Sequence, residues 1–350
     1  MDIDAPTNYI GAAVFWSYII AALFFTAVII NTIHRQGPFS WKLYNENGKN
    51  LEAWFGLCAM ASFVVLSYTM LSVLIHSYQE WTVMHNIPLG FDHILTHVWQ
   101  WSITSTLFKD FAEAITADSP RYFWTRAELW ATYYTAMFMG YEGVAQRLLL
   151  CIHRHELTSD LGRRRRVPNL WAFFCLLEIL PTSFTLNLFF VALIRQPESD
   201  RFFVDIEWSA LWAANAVAYY TCLCFAASDM LRSWLIPIIL CARLLLITPL
   251  FLPVTFNDMN PRLLINGLDI GQLVTAISGG FSFGAGNRDV GNQIWLLGIP
   301  AAINSHPAVS ALGYDSLLCL FAALNWNSHE GSTRYADSNQ ISTARVAKQA

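Results

Sequence analysis

Apolar residues run along the chain in stretches close to the roughly 20 residues that a helix needs to cross the hydrocarbon core of a membrane. Six stretches are long and weakly interrupted, and a shorter last one contains Asp315. The pattern therefore predicts spanning helices over 9–33, 51–75, 128–150, 170–194, 208–228, 230–254 and 308–326. The count is seven, or eight if the ten-residue segment 294–303 crosses or the helix at 99–115 inserts.

Residues 99–115, WQWSITSTLFKDFAEAI, have a different pattern. At 100° per residue the hydroxyl side chains share one arc with Lys109, Asp110 and Glu113, and apolar residues such as Trp101 fill the rest. Such an amphipathic helix either lies flat on the membrane surface or lines an internal cavity. Interfacial helices usually carry basic residues, and this arc has two acids and one base, so both interpretations stay open.

The composition agrees with a membrane protein, because 55% of the 350 residues are hydrophobic and only 13% are charged. We therefore expect one all-α, polytopic helical bundle over 1–326, followed by a polar, disordered tail over 327–350. The net charge of −4 excludes a basic nucleic-acid surface. The sequence does not indicate an oligomeric state.

Basic residues predict the orientation. The loop with four consecutive arginines, 163–166, has the largest excess of positive charge and is expected to be cytoplasmic. Counting spans from there places Arg35, Lys42 and Lys49 on the same side and the acidic N-terminus on the other. The basic residues of the two loops therefore predict the same orientation.

Arg243 lies near the middle of its predicted span, and Glu142 and Glu178 lie at comparable depth in theirs, where charge is costly and usually functional. Arg243 is central in its helix and needs an anionic partner. Two glutamates with one arginine leave a carboxyl unpaired, and desolvation favours its neutral form, which is a proton donor. The alternative is a purely structural ion pair.

Helical periodicity places further polar residues on the same helix faces as these charged residues. Glu128, Thr135, Glu142 and Gln146 form one stripe, which in lipid must face the bundle interior or water. On the next helix Pro181 should introduce a kink. Aromatic rings accompany the first stripe and suit a cationic intermediate; they are Tyr133, Tyr134 and Tyr141.

Metal and cofactor motifs are weak. His93 and His97 form an i,i+4 pair, but no further histidine cluster completes a metal site, so neither a metal nor a cofactor is predicted. In the final span, Pro307 can open the helix, and Asp315 then lies about two turns inside it. A buried aspartate at that depth is another candidate binding residue.

Four stretches together resemble a family of fungal integral-membrane terpene cyclases of meroterpenoid pathways, of the macrophorin and ascochlorin/ascofuranone type. They are WQWSITSTLFKDFAEAI, FWTRAELWATYYTAMFMGYEG, RRRRVPNLWAFFCLLEILPTSFTLNLFF and SHPAVSALGYDSLL. The resemblance extends from about Trp99 to Leu318. It implies a cofactor-independent isomerase of secondary metabolism in the endoplasmic reticulum membrane, which cyclises a farnesyl chain carried on an aromatic or quinol-like ring.

Such a reaction starts with protonation of a terminal epoxide or olefin. It needs a neutral acid in an apolar cavity and aromatic faces for the cation. The candidate catalytic residues are Glu142, Asp110, Glu113, Glu178 and Arg243, and the candidate substrate-binding residues are Trp101, Lys109, Tyr133, Tyr134, Tyr141 and Asp315. The expected partners are the lipid bilayer and a lipophilic prenylated small molecule. A seven-span fungal receptor, or a transporter without catalysis, remains the alternative.

Overall fold

The structure is a computed structural model that describes residues 8–37, 44–45, 48–88, 90–104, 107–116, 119–152, 167–179, 181–195, 210–226, 234–248, 301 and 303–349. The described part is helical apart from a small antiparallel pair of strands, β1 (Tyr44–Asn45) and β2 (Gly48–Lys49). The helices are α1 (Tyr9–Arg35), α2 (Leu51–Met84), α3 (Phe91–Thr104), α4 (Leu107–Thr116), α5 (Ser119–Ile152), α6 (Leu170–Ile179), α7 (Thr182–Ile194), α8 (Ala210–Ala226), α9 (Leu235–Ile247) and α10 (Pro307–Gln349).

Asparagine side chains start the first two long helices. The Oδ1 of Asn8 accepts a hydrogen bond from the amide of Gly11 at 2.8 Å, and Asn50 accepts one from Ala53 at 3.4 Å. These bonds satisfy backbone donors that have no partner inside the helix. Gly11 permits the close approach, because an added Cβ would meet the Asn8 side chain at 2.4 Å.

Three described helices are long and apolar enough to cross a membrane: Tyr9–Arg35, Leu51–Met84 and Pro307–Ser328. Shorter apolar helices accompany them, namely Leu170–Ile179, Thr182–Ile194, Ala214–Ala226 and Pro237–Ile247. Large apolar side chains on α1 and α2, including Leu23, Phe24, Val64 and Tyr68, are exposed. An apolar outer surface of this kind suits lipid rather than water.

Arg195 marks one end of the bundle, here named the Arg195 end. It follows α7 and donates to the carbonyls of Ile33 and Gly37 at the end of α1. Its Nε also donates to Glu52 Oε1 in the first turn of α2, at 2.9 Å. The Arg195 side chain is 6% exposed, so one buried cation ties together three helix termini.

Aromatic packing marks the opposite end, here named the Trp101 end. Trp101 of α3 contacts Phe15 of α1 and Tyr78 of α2 edge to face, with ring centroids 5.9 and 6.0 Å apart. Trp81 donates from its indole nitrogen to Thr104 at 2.8 Å. The helices α3 and α4 therefore lie at the end of the bundle where α1 begins and α2 ends.

The helices α6 and α7 form a hairpin that enters the bundle and returns to the same end. Asn169, just before α6, donates to Thr32 near the end of α1 at 2.9 Å, so α6 begins at the Arg195 end. α7 finishes there as well, at Arg195. The rings of Phe173 and Phe189 lie 5.5 Å apart, as two antiparallel helices that turn at Pro181 require.

The hairpin corrects the predicted single span over 170–194. Pro181 lacks an amide hydrogen, and its ring excludes a continuous helix, so the expected kink is a complete break. The helices α6 and α7 have 10 and 13 residues, which corresponds to about 15 and 20 Å of helix. Neither can cross a hydrocarbon core about 30 Å thick.

The other helices run alongside the hairpin. α2 and α10 pack along α7, α5 packs against α6, α7 and α10, and α8 pairs with α9. The ring of Trp326 on α10 stacks on Phe190 of α7 with centroids 4.4 Å apart, which places that part of α10 near the Arg195 end. A hydrogen bond of 2.5 Å from Tyr122 to the Leu223 carbonyl joins α5 to α8.

One further prediction differs from the structure in form. The single helix expected over 99–115 is divided between α3 and α4, with Ser105 and Thr106 outside the described residues. The helix α10 continues to Gln349, and the disorder expected for 327–350 stays a prediction. The arginine loop 163–166 and the segment 294–300 lie outside the described residues.

We expect crosslinking to verify the hairpin. In a cysteine-depleted background, Thr32→Cys with Asn169→Cys should form a disulfide, and Glu52→Cys with Arg195→Cys should react with a short bifunctional thiol reagent. Both pairs should be joined in the same membrane preparation, as a gel shift after proteolysis would show. A continuous helix from 169 to 195 would separate its ends by about 39 Å, so joining of only one pair would contradict the hairpin.

Candidate functional site

The break at Pro181 places the N-terminus of α7 inside the protein. The first amide groups of a helix have no partner within it, so Thr182 and Ser183 need an external acceptor. Asp315 of α10 supplies both oxygens: Oδ2 accepts from the Thr182 amide at 2.7 Å and Oδ1 from the Ser183 amide at 2.9 Å. All three residues are buried, so Asp315 caps α7 from a neighbouring helix.

Glu128 of α5 lies directly beside Asp315. The nearest oxygens of the two carboxyl groups lie within 4.8 Å of each other, and both side chains are buried. Thr132 Oγ1 lies 3.2 Å from Glu128 Oε1 and 2.7 Å from Thr182 Oγ1. Within the described part of the chain, Glu128 Oε2 has no hydrogen-bond donor. A bond between two carboxyl groups requires a proton, which is the donor that Oε2 lacks.

The two carboxyl groups differ in their surroundings. Two adjacent carboxylates in an apolar interior repel each other strongly, so one of them stays protonated. Asp315 receives two amide hydrogen bonds and faces the positive end of the α7 dipole, which stabilises its negative charge. Glu128 lacks those amide donors. The proton therefore belongs to Glu128, and Asp315 is the anion.

Cys319 completes this cluster. Its sulfur and the nearest oxygens of Glu128 and Asp315 all lie within 4.8 Å of one another. By donor type these three residues could hold a metal ion. However, both oxygens of Asp315 already accept amide hydrogen bonds, and the positive end of α7 opposes a further cation. The geometry therefore fits a shared proton better than a metal centre.

Aromatic rings follow Glu128 along α5. Tyr133 stacks on Tyr219 of α8 with centroids 4.6 Å apart, and Trp130 stacks on Tyr134 at 5.5 Å. The Tyr219 hydroxyl donates to the Leu129 carbonyl at 2.7 Å. Tyr219 is fully buried, whereas Trp130 and Tyr134 are half-buried. The rings thus extend from the interior to the outer surface of the bundle.

A second charged pair lies at the end of α6. Arg243 Nη1 is 3.5 Å from Glu178 Oε2 and 3.4 Å from the Glu178 carbonyl oxygen. The prediction that Arg243 has an anionic partner is confirmed. Glu178 is two residues before the break, so this pair also lies near the tip of the hairpin.

Tyr219 connects the two charged groups. Its hydroxyl donates to the Leu129 carbonyl, next to Glu128, and its helix α8 pairs with α9, which carries Arg243. Helices from both halves of the sequence thus gather one carboxyl pair, one arginine–glutamate pair and several rings around one hairpin tip.

The predicted site residues divide into three groups. Glu178, Arg243, Asp315, Tyr133 and Tyr134 meet around the hairpin tip. Trp101 is buried at the Trp101 end, and Asp110 and Glu113 are exposed on α4. The side chains of Lys109, Tyr141 and Glu142 lie outside the described part, although their backbone belongs to α4 and α5.

Glu128 is the residue that the sequence analysis did not select. It stood on the predicted polar stripe, but at the first position of a predicted span, where an acid is ordinarily interfacial. In the structure α5 begins nine residues earlier, at Ser119, so Glu128 is well inside the helix. A longer polar stripe that includes Thr125 and Thr132, both buried, is the signal that could have identified it.

Comparisons with known proteins identify no relative: no family model, no curated protein and no solved structure matches the chain.

The different roles of the two acids can be tested through stability. Asp315→Asn should lower the free energy of unfolding by about 2–4 kcal/mol, because its amide cannot accept both backbone hydrogen bonds. Glu128→Gln should change it by less than about 1 kcal/mol, because its amide can still donate to Asp315. Unfolding of the purified protein in detergent measures both. Equal losses would contradict the assignment of the charge to Asp315.

Proposed function

We propose that the protein is a membrane-bound terpene cyclase, which protonates an epoxide or olefin of a farnesylated substrate and closes a ring in the biosynthesis of meroterpenoid secondary metabolites. The observation that supports this most is the buried Glu128–Asp315 pair. A proton-initiated cyclisation needs a neutral acid in an apolar, water-poor environment. Both residues are buried, and within the described residues Glu128 Oε2 has no hydrogen-bond donor.

The first step is proton transfer from Glu128. In an epoxide substrate the proton goes to the epoxide oxygen, and the bond from that oxygen to the more substituted carbon breaks. The cation that forms is attacked by the π electrons of a neighbouring double bond, which closes the ring. Loss of a proton from the final cation forms an alkene and returns one proton to the carboxyl pair. The reaction is therefore an isomerisation without a cofactor.

Asp315 acts on this chemistry through Glu128. When Glu128 gives up its proton, two carboxylates remain side by side, which favours recapture of a proton at the end of the reaction. The amide groups of Thr182 and Ser183 hold Asp315 fixed while this happens. Asp315 is thus a positioning residue, and Glu128 is the proposed proton donor.

The aromatic rings meet the second requirement of the proposed reaction, which is stabilisation of the cation. A carbocation has no counter-ion in an apolar interior, and ring faces attract a cation without reacting with it at once. Trp130, Tyr133, Tyr134 and Tyr219 lie on α5 and α8 immediately beyond Glu128. Because the half-buried rings reach the outer surface of the bundle, a lipophilic substrate has an apolar route toward Glu128.

The apolar helices support a membrane location and the basic residues support an orientation, whereas the endoplasmic reticulum is what the family resemblance implies. We place the protein in the endoplasmic reticulum membrane, with the Arg195 end facing the cytoplasm. Arg35 lies at that end, in the last turn of α1, and Lys49 lies just before α2. Excess basic residues near helix ends favour the cytoplasmic side.

One observation favours a second candidate, a transporter. Broken helices whose N-termini lie at mid-depth bind substrates or ions in several transporter folds, and α7 begins in this way. Here, however, Asp315 already occupies the N-terminus of α7. A transporter would need a substrate that displaces Asp315 or binds beside it, so the cyclase is the better proposal.

The cyclase proposal predicts a specific loss of turnover. Microsomes that contain the chain should convert a farnesylated phenol terminal epoxide into a cyclic isomer of equal mass, identified by chromatography with mass spectrometry and NMR. Glu128→Gln should reduce the rate by roughly 10²–10⁴-fold, the usual contribution of a general acid. The stability of this variant should stay close to that of the parent.

Glu80→Gln is the matched control, because Glu80 is an exposed helical glutamate that pairs with His76 at the Trp101 end. It should leave turnover unchanged. If no epoxide or olefin of this class is converted, the cyclase proposal fails. If Glu128→Gln keeps full activity, another acid supplies the proton.

A further inference from the structure

The geometry points to a subsite for the polar head of the substrate, formed by Arg243 and Glu178. We infer that this pair holds the hydroxyl group of a phenol-type ring, while the attached prenyl chain extends toward Glu128. The inference rests on the proposed function for the direction of the chain. The binding of the ring has a test that does not depend on turnover.

The guanidinium group of Arg243 has N–H donors that its described contacts do not use. In the described part of the chain its contacts engage Nη1 alone, with the Oε2 and carbonyl oxygens of Glu178. The side chain is 38% exposed, so its remaining N–H groups are accessible. A guanidinium group has five donors. An arginine on a short apolar helix with unused donors is therefore able to bind an oxygen of a ligand.

Glu178 adds an acceptor next to these donors. Its Oε1 is buried and has no hydrogen-bond partner in the part of the chain that the structure describes. A phenol can donate its O–H to this oxygen and accept an N–H of Arg243 at the same time. The buried ring of Tyr219 is on α8, which pairs with the helix of Arg243, so an aromatic side chain lies on the neighbouring helix.

The charge balance favours a neutral phenol over a strongly anionic head. Among the described residues, Arg243 is the cation that interacts with Glu178. Its charge is already opposed by that glutamate. A phosphate or diphosphate would add negative charge beside Glu178 without further cations to receive it. A phenol needs one acceptor and one donor, which this pair supplies.

The position of the pair connects the subsite to the proposed acid. The Tyr219 hydroxyl donates to the Leu129 carbonyl, next to Glu128, and α8, which carries Tyr219, pairs with α9, which carries Arg243. A ring held at Arg243 therefore leaves its chain beside the aromatic residues that lead to Glu128. This arrangement would let one substrate contact both charged groups, with the head fixed and the chain free to fold.

A probe series on the unmodified protein tests the subsite. The full chain in nanodiscs is titrated with a farnesyl-substituted phenol, its O-methyl ether and farnesyl diphosphate, and equilibrium binding is measured. The ether has the same size and apolar chain but cannot donate to Glu178. We expect the phenol to bind roughly 10- to 100-fold more tightly than the ether, and the diphosphate to bind more weakly than the phenol.

Two variants give the matched comparison. In Arg243→Gln the preference for the phenol over the ether should disappear, whereas Arg35→Gln, at the exposed end of α1, should retain it. The double variant Glu178→Gln, Arg243→Gln removes both charges together and guards against misfolding from one unpaired charge. Equal affinity for phenol and ether in the parent protein would overturn the inference. Tighter binding of the diphosphate, or no binding of the phenol, would overturn it as well.

The two proposals fail in different ways. If the phenol preference is present and depends on Arg243, but no epoxide is cyclised, the subsite stands and the cyclase proposal falls. If cyclisation requires Glu128 while phenol and ether bind equally, the cyclase proposal stands and the subsite falls.

Discussion

The hydrogen bonds from the start of α7 to Asp315 are the interaction on which the interior of this protein depends. Pro181 ends one helix and begins another inside the bundle, and the amides of Thr182 and Ser183 would be orphaned there. An unsatisfied backbone donor away from water costs about 1–3 kcal/mol. One carboxylate with two oxygens satisfies both donors at once. The hairpin, α10 and α5 are held in register around that carboxylate.

Asp315 alone would be enough to accept both amide hydrogen bonds of α7. Glu128 adds a free-energy cost. It brings a second carboxyl group against the first, in a place where a leucine or a methionine would pack without desolvation. The cost of burying this second carboxyl group is tolerable only because Glu128 can remain neutral and donate a hydrogen bond to Asp315. A cap explains Asp315 completely but does not explain Glu128, and strained or costly groups of this kind concentrate at functional sites.

Sequence patterns anticipated the parts of this structure that depend on local physics. Apolar periodicity located the long helices, Pro181 marked a disruption, and a central arginine required an acid, which is Glu178. The hairpin was missed because ten apolar residues before Pro181 and thirteen after it have together the length of one span. Whether such a segment crosses or returns depends on contacts with α1 and α2, which no local pattern contains.

Sequence patterns also could not distinguish among the candidate acids. Glu142, Asp110 and Glu113 carry the same chemistry as Glu128, and sequence position alone did not separate them. Depth in the bundle and the partner across the interface decide which carboxyl is neutral, and the partner of Glu128 lies on the last helix. Asp110 and Glu113 are exposed on α4. Among the acids whose side chains the structure describes, tertiary contacts bury Glu128 beside a second carboxyl group, which its position along the chain does not show.

The two charged groups at the hairpin tip have complementary consequences for a bound molecule. Glu178 and Arg243 largely cancel each other and leave directional hydrogen-bonding groups, while Glu128 and Asp315 together keep one proton at the edge of an aromatic array. A ligand with one polar end and one apolar end satisfies both, because each part meets the group that suits it. The pairing of fixed polar contacts with a mobile proton in an apolar surrounding is what a cyclisation of a prenyl chain requires, and a purely structural pair of ion clusters would not need Tyr219 to lie between them.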